Sequence, residues 1–198
     1  MIANVQPLLA GDPGIDQTLR AMRRLVIDSQ RDPIVIEWAQ GVVRNLPERN
    51  VDMVADAFLA WVRANTRYTP DPVEAEVVKT PGAMLIEFSR FGKIASDCDD
   101  QVVLLSAGLN AVGIQTESIV VAADPNYPND FSHVLMQYQS ASGEMVTMDP
   151  IMRGTGANWF PPRTSRVGVY RNGRLDSDRG GFGLIWLAVA GWFLWRAR

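Results

Sequence analysis

A chain of 198 residues with 47% apolar and 21% charged side chains can bury one ordinary core, so a single domain with a small appendage is expected. With 19 basic against 22 acidic residues the formal charge is −3, which leaves no positive excess for a nucleic-acid partner. One cysteine excludes an internal disulfide or multi-cysteine metal centre, and one histidine excludes a His-rich zinc site, so no metal and no cofactor are expected.

The opening stretch, MIANVQPLLAGDPGID, lacks the basic and continuous apolar regions of a secretory signal. Cytoplasmic synthesis in a reducing compartment is therefore expected, where a free thiol persists. Residues 1–66 read as helices. Asp12-Pro13 and Asp32-Pro33 each place a capping residue before a proline at the first helical position. Ile15, Leu19, Met22 and Val26 share one face after the first start; Ile34, Val35, Trp38, Val42, Val43 and Leu46 follow the second. A third helix starts at Asn50 and carries Val54, Phe58, Trp61 and Val62.

The stretch TRYTPDPVEAEVVKTPGAML holds three prolines and reads as an extended or looped connection. Next comes ASDCDDQVVLLSAGLNAVGI, residues 95–114, in which the sole cysteine, Cys98, opens a helix. Val102, Val103, Leu105, Leu109 and Val112 give this helix its buried face, and Gly113 suits its end. Ser96 and Asp97 are natural caps, and Asp99 and Asp100 favour the helix dipole while pointing to solvent or to the preceding loop. The period then changes to strands over residues 116–123, 132–139 and 144–150, with a hairpin over 167–175 turning at Asn172-Gly173. Helices followed by antiparallel strands make the fold class α+β.

The end of the chain differs in composition. Residues 177–198 read as a hydrophobic tail, in which GGFGLIWLAVAGWFLW (180–195) carries no charge and holds three tryptophans. Sixteen helical residues rise about 24 Å, short of a roughly 30 Å hydrocarbon core, although bilayer thinning and flanking arginines can close that gap. A C-terminal helix in contact with a membrane, or packed in an assembly, is expected.

A cysteine at a helix N-terminus sits near unpaired N–H groups and about half a positive charge, both of which favour the thiolate. An imidazole can take its proton, and a carboxylate on the other ring nitrogen fixes the tautomer. His133 is the only histidine, and Asp149 ends the strand after the one that carries it. Two antiparallel neighbours place such residues together on one sheet face. On this reading Cys98 reacts with iodoacetamide well below pH 7, and His133→Ala abolishes that early reactivity.

The order SDCDD (96–100), AVGIQTESIVV (111–121), SHVLMQY (132–138) and VTMDP (146–150) resembles the transglutaminase-like superfamily. Upstream, WVRANTRYTPDPVEAEVVKTP is similar to the segment before the cysteine in bacterial and phage members. The resemblance covers roughly residues 50–162 of a domain expected over 1–176. It implies a papain-like α+β fold, with the cysteine helix on an antiparallel sheet. It also implies Cys98 as nucleophile, His133 as general base and acid, and Asp149 as its orienting partner. The Cys98 N–H would bind the oxyanion, with Tyr68 as the candidate second donor. Ser96 departs from the glycine that often stands two residues before the cysteine.

The chemistry implied is thioester formation with a protein or peptide carboxamide, followed by hydrolysis or transamidation. The alternative is a phage or prophage virion component that uses the fold for docking, with residues 180–195 in a membrane or assembly contact. A redox sensor built on Cys98 would lack a resolving cysteine.

Overall fold

In a computed structural model of the chain, the residues described are 3–7, 12–47, 50–72, 75–156 and 158–178. The elements in chain order are β1 (Ala3–Pro7), α1 (Asp12–Ser29), α2 (Pro33–Val43), α3 (Val51–Asn65), β2 (Thr66–Tyr68), β3 (Ala75–Lys79), α4 (Pro81–Phe91), β4 (Ile94–Ser96), α5 (Cys98–Ala111), β5 (Thr116–Ala122), β6 (His133–Gln139), β7 (Met145–Met148), β8 (Arg166–Arg171) and β9 (Arg174–Asp178).

Capping sets the helix starts. Asp32 accepts from the Ile34 N–H at 3.0 Å ahead of Pro33, and Asn50 accepts from the Met53 N–H at 2.8 Å. The expected connection before Cys98 contains more structure than its prolines suggest. Thr80 caps α4 by accepting from the Ala83 N–H at 3.2 Å, with Pro81 at the first position. This is the same signal that opens α2, and it makes the proline there a helix starter.

Helix α5 is the centre of the molecule. It touches α1 to α4 on one side and β5 and β6 on the other. Residues 99–109 are all buried, so the single apolar face expected from sequence is a helix enclosed all round. Gly108 lies against aromatic rings: a Cβ there would come within 2.5 Å of Phe58 Cε1 and 2.7 Å of Trp38 Cη2.

The sheet order is β7-β6-β5-β8-β9, antiparallel throughout. Val120, Val134, Met136, Tyr138, Met148 and Tyr170 join the helices in the main core, while Ile119, Val121 and Leu135 bury a second cluster. The hairpin at Asn172 (φ 52°) and Gly173 (φ 81°) is the expected primed turn. Strands β2 and β4 form a separate parallel pair with Tyr68 opposite Ser96.

Strand β9 runs to Asp178, so Ser177 and Asp178 belong to the sheet rather than to the expected tail. The apolar segment 180–195, and with it the expected C-terminal helix, lies outside the described residues. Among the described residues no helix is long and apolar enough to cross a membrane.

Candidate active site

Three elements bring the chemistry together. Asp97, extended at φ −98°, caps α5, and Cys98 is the first helical residue. The backbone N–H of Val134, one residue beyond His133, faces the Cys98 sulfur. Strand β7 stops at Met148, which pairs with Met136. Continuing that register by one residue sets Asp149 opposite Leu135 and diagonal to His133 on the same face.

There, His133 Nε2 meets Asp149 Oδ2 at 2.9 Å, with the imidazole 16% and the carboxylate 0% exposed. Because Nε2 is engaged by Asp149, Nδ1 is the ring nitrogen left for the thiol. The other oxygen of Asp149 accepts from the N–H groups of Ile151 (2.8 Å) and Met152 (3.3 Å), so the carboxylate is held at both ends. The structure thus pairs His133 with Asp149 and sets the Cys98 sulfur at the N–H of the residue after His133.

The electrostatics oppose the simple expectation of an acidic thiol. Burial pushes the Cys98 thiol well above its ordinary range, and the charges of Asp99, Asp97 and Glu76 push it further. Only the Val134 N–H pulls it down.

The aspartates do not face solvent. Asp99 and Asp100 are 3% and 1% exposed, on a helix packed against α1 to α4 and β3. Asp100 anchors the preceding segment, accepting from the Lys79 N–H at 2.7 Å, with the Lys79 ammonium 3.8 Å from its second oxygen. Burial nevertheless lifts its carboxyl to about 7. Asp99 is pushed up to about 11 by burial, then by its contact with Asp97 and by the charges of Asp97, Asp100 and Glu76. Its Oδ1 accepts from the Asp100 N–H at 2.7 Å, and its Oδ2 is buried with no donor.

Ligand oxygens of Asp97, Asp99 and Asp100 lie within 4.8 Å of one another. An oxygen-only set with one donorless buried carboxylate atom suits a hard divalent cation such as calcium or magnesium. This set departs from the absence of a metal expected from one cysteine and one histidine. The signal was the spacing itself, carboxylates at the cap, second and third helical positions, which reads equally well as ordinary helix capping.

Tyr68 stands beside the site, 55% exposed and opposite Ser96 in the β2–β4 pair. Burial, then the charges of Cys98, Asp97, Asp99 and Asp71, raise its hydroxyl further, so the group stays a protonated donor at neutral pH. A residue absent from the expected site, Arg63 in the last turn of α3, donates from Nη2 to the Asp149 carbonyl at 2.6 Å. Locally it is an ordinary basic residue at a helix C-terminus, and only the fold reveals its target.

No protein-family model and no curated protein matches the sequence. Among solved structures the chain is similar to LapG of Legionella pneumophila, with a TM-score of 0.53 at 15% identity over 94% of this chain and 98% of LapG. It is also similar to a candidate protease from Parabacteroides distasonis, with a TM-score of 0.53 at 14% identity over 83% of this chain. The chain shares the α+β fold of these proteins. At such identity these likenesses speak for the fold alone, and the chain spans only 30% of the Parabacteroides protein.

Proposed function

We propose that the chain is a cysteine enzyme that forms a thioester with a protein or peptide carboxamide and then hydrolyses or transfers the acyl group. The observation that carries this reading is the 2.9 Å His133–Asp149 pair, with the Cys98 sulfur at the adjoining Val134 N–H. A protein substrate agrees with the protease description of the Parabacteroides neighbour.

In this mechanism Cys98 Sγ attacks the carbonyl carbon while its proton passes to His133 Nδ1. Asp149 holds Nε2–H and stabilises the imidazolium. The Cys98 N–H and the Tyr68 hydroxyl bind the oxyanion. The C–N bond breaks, the leaving amine takes the proton from His133, and a thioester remains. Water or an amine then attacks the thioester, giving its proton to His133, and the thiol is released. Asp97, Asp99 and Asp100 would hold a divalent cation, whose charge offsets theirs beside the thiol. Mass spectrometry of the protein incubated with peptide amides, with and without an amine donor, tests the reading. It expects an acyl adduct on Cys98 that disappears in Cys98→Ala and His133→Ala; wild-type protein that never acquires one, with or without calcium, overturns it.

The raised thiol favours a second reading, a docking module of the same fold without catalysis. In that case residues 180–195 carry attachment to a membrane or a virion assembly, and Cys98 remains unreactive under every condition.

A further inference from the structure

We propose that Arg63 is a positioning residue for the His133–Asp149 pair, fixing the loop that aims the Asp149 carboxylate at the imidazole. This rests on the catalytic reading of that pair. Strand β7 ends at Met148, so the loop that follows has no ladder to hold it. Arg63 replaces the ladder. Its Nη2 donates to the Asp149 carbonyl at 2.6 Å and to Thr155 Oγ1 at 3.0 Å, and its Nη1 donates to the Thr155 carbonyl at 2.9 Å. One planar fork therefore ties both ends of a single turn to the end of α3. Thr155 Oγ1 in turn donates to the Met152 carbonyl at 2.7 Å, bracing the segment whose N–H groups hold Asp149 Oδ1.

A lysine could supply the charge but not the fork, because an ammonium cannot address three acceptors in one plane. Burial lowers the hold of Arg63 on its own proton, while Asp149 and Asp56 raise it and Arg153 lowers it. The arginine is thus kept where it pays a desolvation penalty, facing the backbone of the turn. Arg153 ties the same loop to the Thr66 carbonyl at 3.1 Å and leaves Asp149 to Arg63.

His133 is the only histidine, so its imidazole signal in NMR reports the pair directly. The readout is the Nε2–H proton, whose exchange with solvent is slow while Asp149 Oδ2 holds it at 2.9 Å, compared in wild type, Arg63→Lys, Thr155→Ala and Asp149→Asn. Arg63→Lys keeps the charge, so a severalfold faster exchange with a changed Nε2–H chemical shift isolates the loss of aim. Thr155→Ala gives a smaller change in the same direction, and serves if Arg63→Lys does not fold. Asp149→Asn sets the scale with the largest change. An unmoved Nε2–H signal in folded Arg63→Lys and Thr155→Ala, alongside a clear change in Asp149→Asn, overturns the positioning role and leaves the catalytic pair standing. No change in Asp149→Asn overturns the pair itself.

Discussion

Asp97 and Asp99 bring carboxylate oxygens together at the first turn of α5, and Oδ2 of Asp99 is buried there without a donor. A folded state that keeps such a group must hold it protonated or bind a cation.

The first consequence concerns pH. Asp100 and Asp99 have folded pKa values raised to about 7 and about 11 from the ordinary carboxylate value. Groups raised in this way bind protons more tightly folded than unfolded, so their contribution is full below about pH 4 and is lost as pH rises through the folded values. In chelator, the melting temperature is expected to fall between about pH 5 and 8. Millimolar calcium is expected to restore it at the upper end, since a ligand bound only by the folded state stabilises it. A flat melting profile that ignores calcium would count against the cation site.

Asp99→Asn separates charge from packing. It removes the cost of taking up a proton on folding and keeps a donor toward Asp97, so in chelator at neutral pH it is expected to stabilise by about 1 kcal/mol. The calcium-induced rise in melting temperature should vanish in the same variant. Calorimetry with and without calcium measures both effects.

The thiol follows the same logic. Without divalent cation, alkylation of Cys98 by iodoacetamide should rise only at alkaline pH, because burial and the aspartates hold the thiol up. With calcium the profile should move toward neutral pH. An alkylation profile already acidic in chelator would mean that the helix N-terminus and His133 outweigh the aspartate field.

Removing the orienting carboxylate should abolish chemistry before it abolishes the fold. Asp149→Asn is expected to lower acyl transfer roughly a thousandfold or more. Asp149→Ala should also cost about 2 kcal/mol, because the Ile151 and Met152 N–H groups lose their acceptor. Unfolding in urea, compared for the two variants, distinguishes them.

Gly108→Ala probes the core beneath the site. The added Cβ meets Phe58 and Trp38 at under-contact distance, and these rings are locked edge-to-face at 5.3 Å. A loss of about 1–3 kcal/mol is expected. An unchanged urea midpoint would show that the rings can move aside.

Local chemistry made much of this legible in the sequence. Asp32-Pro33, Asn50 and Asp97 cap the helices they appear to cap, and Asn172-Gly173 makes its hairpin, because these signals act within a few residues. The pairing of His133 with Asp149 was readable for the same reason: two adjacent antiparallel strands leave few registers. Thr80-Pro81 carried an equal signal, masked by the prolines before it. The fate of Asp99 and Asp100 was not readable, because a first-turn carboxylate looks the same whether its neighbours are water or β3. Arg63 was equally silent, since its acceptors lie far along the chain, at Asp149 and Thr155.

The order of residues determined the capped helices, the strand pairing and the identity of the thiol, imidazole and carboxylate, all fixed by interactions between neighbours. Which groups lost their water was decided only when α5 was enclosed on every side. Desolvation depends on what closes over a group, and it set the sign of the shift at Cys98, Asp99 and Asp100.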